Sequence, residues 1–260
     1  MTMRKFVLLV VALILVGCGD GGGGGRLEGV GPGEPQITSS PPSAPTQNAK
    51  IELKGEINRK LNSLGNLDYL GELINKGEDP ACLVKVVINS ENASGELIDS
   101  KFTYVHGSTL SIHSAETDSC LGPGEVGGFQ INTSLESIPA SASVVISWDV
   151  DTASVPRVPS SEVMLVGSVT EAIDFFGEVT LRGLIKNDSV YPLISVKISF
   201  VAIKDGLVVG TYFASVKGSS CDATNTCLLP EGSGLFEAGL NLPPSELDSY
   251  YYKINYSIAE

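Results

Sequence analysis

From about residue 50 onward, apolar side chains fall at every second position in short runs, and turn-forming residues separate the runs. That period of two is the signature of strands with one face buried. Residues 179–185 read as a strand, and Lys186-Asn187-Asp188-Ser189 as a turn. Residues 196–203 follow as a strand, with Val196, Ile198 and Phe200 on one face. Lys204-Asp205-Gly206 is a hairpin signal, because Asp-Gly readily takes positive φ. Residues 207–216 return as a strand, and Pro230-Glu231-Gly232 turns the chain before a strand over 235–242. Ile146, Trp148 and Val150 share one face of an earlier strand, and Tyr250, Tyr252, Ile254, Tyr256 and Ile258 share one face of the last. Only residues 57–64 show a spacing nearer the helical period. The pattern predicts an all-β fold of short strands and tight turns, as in a β-sandwich.

The pattern occurs twice. Shifted by 112 positions, Gly55, Gly65, Gly71, Asn75, Pro80, Val84 and Lys85 fall on Gly167, Gly177, Gly183, Asn187, Pro192, Val196 and Lys197. Leu53 falls on Leu165 and Leu73 on Ile185. Further along the shift is 107, so that Cys120, Pro123 and Phe129 meet Cys227, Pro230 and Phe236, and the first unit carries five extra residues between. Such internal similarity predicts two β-sandwich domains, over 50–150 and 163–260, with Pro156 and Pro159 in a linker over 151–162.

The residues of the second unit resemble a known family. Gly183-Leu184-Ile185-Lys186-Asn187-Asp188-Ser189, Pro192, Val196-Lys197-Ile198, Asp205-Gly206, Val208-Val209-Gly210, Leu229-Pro230-Glu231-Gly232 and Phe236 are similar to an FxLYD-type domain. The first unit matches through Gly71, Asn75, Pro80, Val84-Lys85-Val86, Leu121, Pro123-Gly124-Glu125 and Phe129, though neither copy has the aromatic motif intact. The resemblance implies tandem immunoglobulin-like β-sandwiches in an exported prokaryotic protein. It transfers no enzymatic activity and no site residues.

The first residues follow a different rule. Arg4 and Lys5 precede an unbroken apolar run over 6–16, too short for the roughly 20 residues a bilayer-spanning helix needs. Leu15-Val16-Gly17-Cys18 closes it, and this resembles the lipobox of a bacterial lipoprotein. The resemblance implies a signal peptide over 1–17, lipid on Cys18, and a membrane partner through that lipid. The alternative is a generic secretory signal with a cysteine present by chance. Asp20 stands one place later than the position that favours the inner membrane, so cell membrane and outer membrane stay open, facing periplasm or surface. Residues 18–49 carry Gly21 to Gly25, Pro41-Pro42 and Pro45 and almost no large apolar side chain, a linker composition. A phosphate-cradling reading of those glycines lacks a strand before them, a helix after them and a Gly-Lys-Ser/Thr run.

Charge and cysteines narrow the setting. Removing 1–17 takes away Arg4 and Lys5 and leaves 15 basic against 30 acidic side chains. An acidic surface repels phosphate backbones, so no nucleic-acid partner is expected. With Cys18 set aside, Cys82, Cys120, Cys221 and Cys227 remain, an even number for an oxidising compartment. Their spacing suggests Cys82–Cys120 and Cys221–Cys227. Four free thiols and a four-cysteine zinc site are the rivals, and the second lacks any C-x2-C pair.

Candidate chemistry is sparse. His106 and His113 could approach Glu116 and Asp118 as metal ligands, but a spacing of seven puts them on opposite faces of a continuous strand unless Gly107 breaks it. No G-x-S-x-G nucleophile turn occurs. Asp149 and Asp151 sit as an alternating acidic pair without a calcium-loop pattern. Among Tyr250, Tyr251, Tyr252 and Tyr256, only Tyr251 points away from the predicted core face, which makes it the candidate for stacking on a sugar. The expectation is a non-catalytic envelope protein that needs no cofactor and meets a protein partner. A glycan-binding protein or enzyme with a site at the domain junction is the alternative.

Overall fold

The computed structural model describes residues 48–107, 120–150, 162–218 and 227–259. The first half holds β1 (Ile51–Leu61), β2 (Leu67–Asn75), β3 (Ala81–Glu91), β4 (Leu97–Tyr104), β5 (Val126–Asn132) and β6 (Ser141–Val150). The second holds β7 (Val163–Ile173), β8 (Val179–Asn187), β9 (Leu193–Lys204), β10 (Leu207–Ser215), β11 (Ser233–Gly239) and β12 (Ser249–Ile258). All strand pairs are antiparallel, in sheets ordered β1-β2-β5, β4-β3-β6, β11-β8-β7 and β10-β9-β12. The fold is all-β, as the alternation predicts.

Sheets β1-β2-β5 and β4-β3-β6 close over Tyr69, Leu73, Val86, Ile88, Phe129 and Ile131, with Ile146 and Trp148 at the margin. Sheets β11-β8-β7 and β10-β9-β12 close over Leu181, Ile185, Ile198, Phe200, Phe236 and Tyr256. Both sandwiches lie within one compact unit, Pro45–Glu260.

The expected helical stretch over 57–64 is strand and turn. A bulge in β1 between Lys54 and Asn58 breaks the period of two and turns Ile57 toward the core. Leu61 then ends the strand and Leu64 sits in the hairpin. Bulge and turn together mimic helical spacing. β7 has the same bulge between Val166 and Thr170.

The matching residues of the two halves do matching work. Asn75 is buried, and its amide donates to the carbonyls of Asp79 (2.8 Å) and Leu121 (3.0 Å). Asn187 does the same for Tyr191 (2.8 Å) and Leu228 (3.0 Å). Each Asn therefore ties the end of a central strand to two loops, as a second donor to the Leu121 and Leu228 carbonyls that also accept from the Ala81 and Leu193 amides. Gly71 and Gly183 sit opposite Phe129 and Phe236 in the ladders. A Cβ at Gly71 would meet the Phe129 ring at 2.8 Å, and one at Gly183 would meet the Phe236 ring at 2.7 Å. The ring lies across the backbone only because no side chain is there.

Cys82 and Cys120 form a disulfide across 38 residues of sequence. The loop-entropy model gives such a closure roughly 4 kcal/mol. Cys227 is also disulfide-bonded, while Cys221 lies outside the described residues.

Replacing Asn187 with Ala removes its two donated hydrogen bonds and takes the acceptor from the buried Ser189 amide and hydroxyl, which should lower unfolding free energy by about 3 kcal/mol. Gly183→Ala should cost about 1–3 kcal/mol through the crowded Phe236 ring. Urea denaturation measures both, and a loss below about 0.5 kcal/mol in either would contradict the assigned role.

Candidate functional site

The two sandwiches meet along a seam that joins an apolar strip to a set of polar side chains. It forms where the outer face of β1-β2-β5 lies on the outer face of β10-β9-β12. Leu70, Val201 and Val208 are buried there, with Ile203 and Tyr251 packed against them. Gly128 admits the closest approach, since a Cβ at that position would stand 2.6 Å from Val201. Asn58 donates to the Val208 carbonyl at 2.8 Å and Lys60 to the Val209 carbonyl at 2.6 Å. The Thr211 amide donates to Gln130 Oε1 at 3.1 Å, while Gln130 Nε2 donates to Asp68 at 3.1 Å. Lys253 and Glu125 form a half-buried ion pair at 2.5 Å.

Glu72 Oε1 and the Tyr251 hydroxyl are buried beside each other in the seam, and neither makes a well-directed hydrogen bond. Glu72 keeps an ion pair with Lys54 at 3.1 Å through its other oxygen. Burial raises the Tyr251 phenol far above the ordinary tyrosine range, and the neighbouring Glu72 and Glu125 charges raise it further. Burial also raises Tyr212, with Glu246, Glu178 and Asp68 adding to it, and pushes Tyr256 up to about 12. Tyr251 does point away from the core face, but the first sandwich covers it. The ring is left half-buried against the apolar strip, not open as a stacking platform needs to be.

Beside the seam is a cleft of about 540 Å³. Gly122, Pro123 and Glu125 of the first sandwich form one wall, with Met164 of β7 and Tyr252 and Lys253 of β12 opposite. It is the concavity nearest the predicted junction site. Its one carboxylate, Glu125, is held by Lys253 and by the Gly122 amide at 2.8 Å. That arrangement suits orienting an extended ligand better than transferring a proton, because the base is already neutralised.

Of the other candidates, only His106 and Asp149 fall among the described residues. His106 pairs through its backbone with Gly128, its amide donating at 2.8 Å. His113, Glu116, Asp118 and Asp151 lie outside the described residues, as does Cys18. Asp149 belongs to β6, where its backbone pairs with Cys82. Among the described residues, no three His, Cys, Asp or Glu side chains gather as metal ligands, and no helix is long and apolar enough to cross a membrane. Sequence reasoning missed the seam residues Leu70, Glu72, Gly128 and Val201. Their one visible signal was Leu70 on the face of β2 that also carries Asp68 and Glu72.

Two variants test the seam. Gly128→Leu should drive the sheets apart, so that calorimetry resolves two transitions where the native chain gives one, and an unchanged single transition would refute the close packing. Tyr251→Phe removes a poorly hydrogen-bonded hydroxyl, so stability at pH 7 should stay within about 0.5 kcal/mol or rise. An unfolded chain releases tyrosine protons near pH 10, whereas the folded chain holds the buried ones longer. Stability therefore falls as pH rises above about 10, and Tyr251→Phe should flatten that fall. Urea melts across that range, with absorbance titration of the phenols, measure it.

No known protein-family model matches this chain, and no curated protein is significantly similar to it.

Proposed function

We propose that this chain is a lipid-anchored protein of the bacterial cell envelope, a non-catalytic binding or structural module built from two FxLYD-like, immunoglobulin-like sandwiches. The seam is the observation that carries the reading. Side-chain hydrogen bonds, an ion pair and an apolar strip join the sandwiches where a jointed pair of domains would leave water. A stiff body of this kind suits holding a partner at a fixed distance from an anchor. The lipobox-like Leu15-Val16-Gly17-Cys18 supports the anchor, and the Cys82–Cys120 disulfide supports an oxidising compartment. The site of action is the cell membrane or the outer membrane, facing periplasm or surface, with an envelope protein as partner.

The cleft between Glu125 and Tyr252 favours a second reading, an accessory protein that binds envelope glycan or an enzyme acting at the junction. Tyr252→Ala would then abolish glycan retention on an affinity gel while leaving the fold intact.

The anchor is tested at Cys18. The native chain should stay with membranes through an alkaline carbonate wash, and mass spectrometry should find its Cys18 peptide carrying acyl chains. Cys18→Ser should release it or leave it as uncleaved precursor. An alkylatable Cys18 thiol on the native exported protein would overturn the reading.

A further inference from the structure

Three hairpins of the fold use one turn. In the β1–β2, β3–β4 and β7–β8 connections, the first residue is Asn62, Asn92 or Asp174, and the fourth is a glycine of positive φ, Gly65, Gly95 or Gly177. In each, the leading side-chain oxygen accepts from the amides two and four residues on. In each, the first residue also exchanges backbone hydrogen bonds with the fourth and fifth. The two residues between are free to vary. In the β3–β4 turn they are Ala93-Ser94, so the turn needs no apolar side chain there. In the β7–β8 turn they are Phe175 and Phe176, 96% and 81% exposed, whose rings meet edge to face with centroids 5.7 Å apart. Two phenylalanines stand in water where the backbone is indifferent to them.

They are not isolated. Leu61 and Leu64 are exposed at the β1–β2 tip, Leu97 beside the β3–β4 tip and Ile138 in the loop between β5 and β6. The tips share one end of the molecule. Tyr69 at the start of β2 bonds Ser90 at the end of β3, and Lys60 beside the β1–β2 tip donates to Val209 beside the β9–β10 hairpin. Asn187 at the end of β8 bonds Leu228, which bridges Leu193 at the start of β9, so the start of β8 lies at the same end as that hairpin. The turn amides of Asp174, Phe176, Gly177 and Glu178 are all bonded within the turn. The Phe175 amide and the carbonyls of both phenylalanines make no such bond, which suits the turn backbone to the hydrated headgroup layer while the rings reach deeper.

We propose that this apolar end, led by Phe175 and Phe176, dips into the headgroup and upper acyl region of a lipid bilayer. The proposal rests on the membrane reading above and adds a second point of contact to it. A convex tip of unsupported rings has no groove of its own to complement a partner's shape, whereas a fluid interface closes around any shape. The chain outside the described fold allows it. Asn48 opens the fold at the far end of β1, whose 11 residues span roughly 36 Å. Covalent geometry lets the 30 residues from Cys18 to Gln47 span at most roughly 100 Å, well beyond that distance. An anchor at Cys18 and a tip on the same bilayer are therefore compatible without a strained linker. The tip carries Asp174 and Glu178 and no cation, so it favours zwitterionic over anionic lipid.

The test uses the full chain on zwitterionic phosphatidylcholine vesicles with brominated acyl chains. Phe176→Trp reports the tip, and Val190→Trp, exposed in the loop that follows β8 at the end opposite that tip, is the control, with Trp148 common to both. The tip reporter should shift to the blue and lose about half its emission or more to the bromines. The control should lose little, and adding anionic lipid should weaken the tip signal. A tip reporter that stays water-like on the vesicles, or shifts only when envelope protein extract is added, overturns the proposal and in the second case assigns the tip to a protein. Phe175→Ala with Phe176→Ser, the pair the β3–β4 turn already accepts, should abolish protection of a Leu64→Trp reporter without changing the urea midpoint. Failure of the anchor reading is read separately, from the mass of the Cys18 peptide, and leaves the quenching result interpretable.

Discussion

The structure depends on β2 being buried on both faces. One face sends Leu67, Tyr69 and Leu73 into the first sandwich core, while Leu70 on the other is sealed by Val201 and Val208 of the second half. A strand in that position cannot be solvated on either side, so each polar residue it carries must find a protein partner. Asp68 takes hydrogen bonds from Asn62 at 2.9 Å and Gln130 at 3.1 Å, and Glu72 takes Lys54. Gly71 makes room for Phe129, and Gly128 on the neighbouring strand makes room for Val201. The seam is thus an extension of two cores through one strand, with side-chain to backbone hydrogen bonds at its edges. Its remaining cost is visible in the two poorly hydrogen-bonded atoms, Glu72 Oε1 and the Tyr251 hydroxyl.

Strand order and turn chemistry were legible from residues alone because local rules decide them. Asp205-Gly206 makes the β9–β10 hairpin with φ of 52° and 76°, the geometry that Asp-Gly favours. The repeat was legible because equivalent positions face equivalent backbone demands. Leu83 and Ser195, 112 positions apart, both hold positive φ at the same irregularity of the central strand. Chemically they have nothing in common, so alignment by residue type passes over them while the backbone does not.

The seam was illegible for the opposite reason. Asp68, Leu70 and Glu72 alternate with core residues and read as an ordinary solvated face with one stray leucine. What buries them lies more than 120 residues away, on β9, β10 and β12. Tyr251 was singled out correctly as the tyrosine facing away from its core, yet its function as a ligand platform required open space that only the tertiary arrangement removes. Residues 57–64 misled in a related way, since a bulge at one end and a turn at the other produced helical spacing from an extended chain.

The duplication also shows why the seam does not recur on the two outer sheets. By the repeat, the outer face of β11-β8-β7 is the counterpart of the seam face of β1-β2-β5. There Arg182 stands in the place of Leu70 and Leu235 in the place of Gly128. A leucine where Gly128 must be bare blocks close approach, and Arg182, paired with Glu237 at 2.9 Å, keeps the face hydrated. On the far sheet, Asn89 occupies the position of Val201 and accepts from Ser100 at 2.7 Å. Both ends of the series have lost the side chains that made the seam, as terminal units of stacked repeats must if they are not to recruit further copies. The apolar side chains that remain exposed at the hairpin tips lie outside that logic. They serve neither core nor seam, and unlike the exposed Phe102 and Leu235 of the outer sheets they stand on turns, where no neighbouring strand could cover them.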